Sequence, residues 1–159
     1  MGLRIERSDP DSPTARALLD ALSETLAALT GDSGRSSFDA SDVRGAGAAF
    51  VVAHSATGEA IGCGAYRPLQ TGVAELKRMY AHSTGAGVGS ALLAHLEQAA
   101  QADGYCEIWL ETRRVNTRAV AFYLRHGYHE IANFGRYLGR PEAICLARTL
   151  TAETVRRQS

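Results

Sequence analysis

Lysine is nearly missing from this chain: sixteen of its seventeen basic residues are Arg, and Lys77 is the single exception. No Gly-Lys pair occurs, which rules out the G-x-x-x-x-G-K-[ST] phosphate loop of nucleoside triphosphatases. Charge of one sign is not in excess either. Seventeen basic side chains balance seventeen acidic ones, so the basic surplus of a nucleic-acid-binding protein is absent. Cysteine is sparse. Cys63, Cys106 and Cys145 are far apart and contain no C-x-x-C, which excludes a zinc knuckle or a disulfide framework. In their apolar or strand-like surroundings they read as small buried hydrophobes. The five histidines form no H-E-x-x-H set, so no metal site is expected. No apolar run is long enough to span a bilayer, and no leader or lipidation pattern is legible. The expectation is a cytoplasmic protein with no membrane or nucleic-acid partner.

What is present fits one globular domain. The chain has 159 residues, of which 45% are hydrophobic, enough to bury a sizeable core. Residues 1–159 read as a single unit with an ordered core over about 3–150 and a short polar tail. Leu3–Arg7 is a strand candidate. Pro13–Leu29 carries Leu and Ala at helical spacing, with Ser12 as N-cap, Pro13 at the first helical position and Gly31 as the stop. The stretch from Phe38 to Gly45 reads as a loop or a single helical turn. "AAFVVAHS" and "AIGCGAYRPL" form a hairpin through "ATGE", and "VAELKRMYA" adds a third strand. A helix runs from Gly87 to about Ala102, with Val88, Leu92, Leu96 and Ala99 on one face. "YCEIWLET" alternates, with Cys106, Ile108 and Leu110 on one side and Glu107, Trp109 and Glu111 on the other. Asn116–His126 is a helix stopped by Gly127, followed by the strands "YHEI" and "AICLARTL". The order is approximately βααβββαβαββ: an α/β or α+β fold with a mixed sheet.

"STGAGVGSALL", Ser83–Leu93, carries the chemistry. Gly85, Gly87 and Gly89 run directly into a helix, a chain geometry that brings unpaired backbone N–H groups to an anion. A dinucleotide loop fits poorly, because the spacing is G-x-G-x-G and the loop follows the fourth strand rather than the first. The surrounding "ELKRMYAHSTGAGVGSALL", together with "LETRRVNTRAVAFYLRHGY", resembles the acetyl-CoA-binding core of the GNAT superfamily of N-acetyltransferases. The family's R/Q-x-x-G-x-G/A loop falls on Thr84, Gly87 and Gly89. Its N-x-x-A-x-x-x-Y-x-x-x-G-[FY] falls on Asn116, Ala119, Tyr123, Gly127 and Tyr128 without a gap. The usual Arg or Gln of the loop is Thr84 here, and the often basic position two residues on is Ala86.

The resemblance implies transfer of acetyl from acetyl-CoA, without a metal, to a primary amine by direct attack. It implies that backbone groups of Met79, Tyr80 and Ala81 pair with the pantetheine arm. The pyrophosphate would meet Thr84, Gly85, Ala86, Gly87, Val88, Gly89 and Ser90. Tyr123 would face the sulfur and return a proton to the thiolate, and Asn116 would meet the pantetheine amide, cap its helix, or do both. Glu75 is the candidate base, set on the face of Met79 if alternation holds and no bulge intervenes; pairing with Lys77 or Arg78 is the alternative. Leu76 and Tyr80 read as core side chains. The acceptor, a small-molecule amine or else a protein, would lie between Ala21–Val43 and the late loop Ala132–Glu142. Glu24, Asp39, Asp42, Arg136, Tyr137 and Arg140 are the charged or polar candidates there. A second copy of the chain is a further candidate partner.

Overall fold

A computed structural model describes residues 2–35, 38–82 and 87–151. Thr84, Gly85 and Ala86 lie outside the described residues. Seven strands form one sheet, flanked by three α-helices. In chain order they are β1 (Arg4–Arg7), α1 (Pro13–Thr30), β2 (Ala49–His54), β3 (Ala60–Gln70), β4 (Val73–Ala81), α2 (Val88–Ala102), β5 (Glu107–Arg113), α3 (Thr117–Arg125), β6 (His129–Ile131) and β7 (Ala143–Thr149). Two short 3₁₀ turns, Ala40–Val43 and Gly135–Tyr137, stand where the sequence allows a single turn and a late loop. The sheet order is β1-β2-β3-β4-β5-β7-β6, with β4–β5 the one parallel pair.

Local chemistry sets the helix ends. The Ser12 side chain accepts from Ala15 N–H at 3.2 Å and Pro13 opens α1. Gly31 closes the helix in the left-handed conformation at φ 81°, which costs Gly no Cβ clash. Asn116 caps α3 by accepting from Ala119 N–H.

Two apolar layers cover the sheet. On one face, α2 and α3 bury Leu92, Leu93, Leu96 and Tyr123 against Ala74, Leu76, Ile108, Leu110 and Leu146. On the other, α1 packs Ala15 and Leu18 against Phe50, Val52, Cys63 and Ala65, while Tyr137 and Phe134 of the late loop cover Ala143 and Cys145. Gly62 and Gly64 let α2 seat closely on β3. A Cβ at Gly62 would come within 2.7 Å of the Tyr80 carbonyl, and one at Gly64 within 2.7 Å of Leu96. One cysteine departs from expectation: Cys63 and Cys145 are buried, but Cys106 is exposed, because it precedes β5 and so falls outside that strand's alternation.

Candidate active site

The site begins where two strands part. β4 and β5 pair only at Val73–Glu107, Ala74–Ile108 and Glu75–Trp109. From Leu76 onward β4 keeps its β3 partners, Tyr80 and Ala81 included, while its other edge faces a cavity of about 760 Å³. That cavity passes between the two faces of the sheet. It is lined on one side by Met79, Gly87–Ser90, Asn116 and Tyr123, and on the other by Glu75, Lys77, Glu111 and Tyr137.

A bulge in β4 changes the faces. Between Cys63↔Tyr80 and Ala65↔Lys77, β3 advances two residues and β4 three. The extra residue is Arg78, at φ 56° the only described non-glycine residue with positive φ. Lys77 and Arg78 therefore both point toward α1, and Met79 turns to the α2 face, where it packs on the core. The expectation that Glu75 shares a face with Met79 is thus overturned: the bulge puts them on opposite faces. Leu76 is core, 4% exposed. Tyr80 packs half-buried against the α1 cluster. Arg78 donates to Leu19 O, Ser33 O and the Ser23 hydroxyl, which ties β4 to α1 and to the loop behind it.

Glu75 is 2% exposed. Its carboxylate accepts from Arg67 Nε at 2.9 Å, lies 3.7 Å from Lys77 Nζ, and is reached by the Tyr137 hydroxyl at 3.5 Å. Glu111 was not singled out from the sequence, where it reads as one more outward residue of an alternating strand. It lines the cavity and accepts from Arg113 Nη1 at 2.5 Å. Burial raises its carboxyl above the ordinary value, against the opposing pull of Arg113. Arg113 also holds Asp32 of the loop after α1 at 3.0 Å.

On the opposite face, Tyr123 is 8% exposed and wedged between the rings of Phe122 and Tyr128. Among the described residues its hydroxyl has no hydrogen-bond partner, and the residue lines the cavity. Burial alone pushes this phenol well above its ordinary pKa, so it keeps its proton throughout the neutral range.

The helix start is built from backbone. Gly87 caps α2 at φ 74°, and the first helical amide bond is Ala91 N–H to Gly87 O at 3.0 Å. The amides of Val88, Gly89 and Ser90 precede that bond and have no acceptor within the helix. Gly89 sits against Phe122, whose ring atoms a Cβ would meet at 3.4 Å. The Ser90 hydroxyl lies 2.9 Å from His126 Nε2, while His126 Nδ1 lies 2.7 Å from Phe122 O. A carbonyl can only accept, so in the neutral ring Nδ1 holds the proton and Nε2 accepts from Ser90. Arg118 and Arg125 of α3 stand at this end of the cavity.

Of the acceptor candidates, Arg136, Tyr137 and Arg140 line the cavity; Glu24, Asp39 and Asp42 do not. No cluster of metal-ligating side chains occurs among the described residues, and no described helix is long and apolar enough to cross a membrane.

A splayed parallel pair with a glycine-started helix at its opening is the arrangement that the resemblance to the GNAT superfamily implies. Residues 15–128 match the model of the acetyltransferase (GNAT) family. The chain is 32% identical over 104 residues to an IAA acetyltransferase of Azospirillum brasilense, covering 64% of this chain and 67% of that one. The fold superposes on a structure from Klebsiella pneumoniae subsp. pneumoniae classed as an acyl-CoA N-acyltransferase, with a TM-score of 0.79 and 28% identity over 94% of this chain and 98% of that one. A GNAT-family acetyltransferase from Staphylococcus aureus shares the fold at a TM-score of 0.74 and 16% identity, over 94% and 99% of the two chains. The chain belongs to the GNAT acetyltransferase family, and it is an acyl-CoA-dependent N-acetyltransferase.

Proposed function

We propose that this enzyme transfers acetyl from acetyl-CoA to the primary amine of a small molecule, by direct attack in a ternary complex. The observation that carries the reading is the cavity itself. It joins the α2 start and Tyr123 on one face of the sheet to Glu75, Lys77 and Tyr137 on the other. Cofactor and amine can then enter from opposite faces and meet between β4 and β5.

The residues fit the cofactor. The amides of Val88, Gly89 and Ser90 and about half a positive charge from the helix dipole suit a pyrophosphate. Thr84, Gly85 and Ala86 continue the same loop in sequence. The unpaired edge of β4 at Met79, Tyr80 and Ala81 suits an extended amide-bearing arm, which adds to the sheet as a strand would. Acetyl-CoA supplies the thioester that the amine cleaves.

The chain's own residues handle the protons. The amine must arrive neutral or lose a proton, and in this reading Glu75 accepts that proton. Tyr123, protonated and without an internal partner, returns a proton to the departing sulfur. Asn116 spends its side-chain oxygen on the α3 cap, which leaves its amide N–H₂ for the pantetheine arm. A small acceptor is favoured because the late loop roofs that end: Tyr137 is 6% exposed and packs on Phe134, which packs on Trp109. The test is an acceptor panel with acetyl-CoA, read as free thiol release. Turnover of folded proteins or peptides in preference to every small amine would overturn the small-molecule reading.

A further inference from the structure

Ser90 stands exposed on the first turn of α2 and lines the cavity beside Gly87, Val88 and Gly89. Among the described residues its hydroxyl makes one hydrogen bond, to His126 Nε2 at 2.9 Å. His126 itself is half-buried and is not part of the cavity wall. Any influence it has on a ligand there passes through Ser90.

The imidazole is closely held. Its Nδ1 lies 2.7 Å from Phe122 O, a carbonyl that also accepts the His126 backbone N–H at 3.2 Å. Its ring lies on the Phe122 ring, with centroids 4.3 Å apart, and Phe122 in turn abuts Gly89. Nδ1 therefore keeps its proton in either charge state, and protonation changes Nε2 alone. In the neutral ring Nε2 is an acceptor, and the single hydrogen of the Ser90 hydroxyl is spent on it. The hydroxyl then turns lone pairs toward the helix start, where they repel an anion. In the imidazolium Nε2 is a donor. Ser90 Oγ accepts from it, and the hydroxyl hydrogen is released toward the cavity.

The charged groups around the ring favour an anion from outside. On α3, Arg125 lies 5.8 Å from the centre of the Phe122 ring. On β7, Arg148 stands beside Gly127 and is paired with Glu97, the acid of α2. Among the described residues no carboxylate pairs with His126, whose ring bonds go to Ser90 and Phe122.

Resting on the acetyl-CoA reading above, we infer that His126 is a positioning residue for the CoA pyrophosphate: it turns the Ser90 hydroxyl from acceptor to donor, and CoA binding takes up a proton at Nε2. The proton comes from solvent, and no covalent bond to carbon, sulfur or phosphorus forms or breaks. The pyrophosphate gains a hydroxyl donor with a positive charge one hydrogen bond behind it. Linkage is reciprocal, so binding that takes up a proton is binding that tightens as pH falls through the histidine range.

The experiment is titration calorimetry with CoA and with dephospho-CoA, which keeps the pyrophosphate and lacks the ribose phosphate. It is run between about pH 6 and 8 in buffers of differing ionisation enthalpy, so that the buffer dependence of the heat counts protons. The native enzyme is expected to take up a sizeable fraction of one proton with either ligand, and to lose affinity by about threefold or more from the lower pH to the higher. His126→Phe keeps the stack on Phe122, and Ser90→Ala keeps the helix amides; each should lose most of the uptake and most of the pH slope. A purely structural role for His126 would lower affinity equally at every pH and leave the uptake in place. Equal uptake in the native enzyme and the variants, or none by the native enzyme with dephospho-CoA, overturns the inference and leaves acetyl transfer standing. The native titration decides even where a variant fails to fold. Absence of any CoA binding by the native enzyme sinks the acetyl-CoA reading and the inference with it.

Discussion

Arg67 and Glu75 face each other across the β3–β4 pair, Nε to Oε1 at 2.9 Å, with Lys77 Nζ 3.7 Å from the other carboxylate oxygen. Two cations thus flank a carboxylate that is only 2% exposed. The arrangement suits a base, and it suits a structural ion pair as well. Their pH signatures separate them. As the base, Glu75→Gln lowers kcat/KM by about 10² or more at neutral pH, and the deficit narrows as pH approaches the amine's pKa, where solvent provides the neutral amine. The same substitution lowers stability at neutral pH, because it removes the carboxylate that Arg67 and Lys77 flank. Rate profiles and urea unfolding of the same variant give both answers. A rate deficit that does not narrow assigns Glu75 to the ion pair alone.

Tyr123→Phe removes a hydroxyl with no partner among the described residues and keeps the ring contacts to Phe122 and Tyr128. Stability should therefore change little, while kcat falls by about 10² to 10⁴ and CoA affinity holds. The phenol's pKa is raised by burial, so the acid form persists upward through the neutral and mildly alkaline range. No loss of kcat assignable to this group is expected below the ordinary tyrosine pKa of about 10. Stopped-time assays from pH 6 upward check it. An unchanged kcat in the Phe variant returns Tyr123 to a packing role.

Much of this was legible in residues whose chemistry is local. Ser12, Pro13 and Gly31 bound α1 because a cap, a fixed φ and a left-handed stop act within a few residues. The pattern from Asn116 to Tyr128 was legible for a similar reason: the cap, the buried Tyr123 and the glycine stop at φ 90° all belong to one short helix. What was not legible depends on distance in sequence. Nothing in "ELKRMYA" announces a bulge, since Arg78 takes the left-handed region without being Gly and is held there by Leu19, Ser23 and Ser33. Glu111 is indistinguishable from a solvent-facing strand residue until β4 and β5 are seen to part beside it. Gly62 and Gly64 carry no signal of their own within the strand "AIGCGAYRPL", and only the seat of α2 gives their reason.

Arg148 and Glu97 make a second buried pair away from the chemistry. Glu97 is 0% exposed and receives the Tyr128 hydroxyl at 2.7 Å as well as Arg148 Nη1 at 3.3 Å. The contact ties α2 to β7 and to Tyr128, the residue just before β6. Arg148→Met should cost about 3–5 kcal/mol, because it leaves a buried carboxylate with a single neutral partner. Adding Glu97→Leu to that variant should recover most of the loss. Urea melts of the two variants check both numbers, and failure of the second change to recover stability would mean that Tyr128 depends on Glu97 for more than charge balance.

The thiols divide by burial. Burial pushes Cys63 up to about 12 and also raises Cys145. The thiolate is the reactive form, so raising the pKa lowers reactivity at any pH below it. Iodoacetamide at pH 8 should label Cys106 in the native protein and leave the other two unlabelled until denaturant is added. Mass spectrometry of the peptides reads this. Rapid labelling of Cys63 in the native state would mean that α1 opens from the sheet.

The start of α2 allows geometry and charge to be weighed against each other. Gly87 holds φ 74°, a conformation that a β-branched residue strongly resists, although no atom of the described residues lies within 4 Å of where its Cβ would be. Gly87→Val should therefore act by strain rather than by collision, swinging the first amides of the helix out of line together. A pyrophosphate that rests on Val88, Gly89 and Ser90 then loses several contacts at once, and CoA affinity should fall by well over tenfold. Arg118 and Arg125 also stand at this end, but both are exposed. An exposed charge contributes on the order of 1 kcal/mol or less after screening. Arg125→Ala should weaken CoA by less than about tenfold, and by less still in high salt. Ala86→Arg, which restores a basic residue to the loop, should gain no more than that. Titration calorimetry of the three variants at two salt concentrations ranks them. If the charge changes outweigh Gly87→Val, the phosphates are held by side chains, and the helix start is a turn with no part in binding.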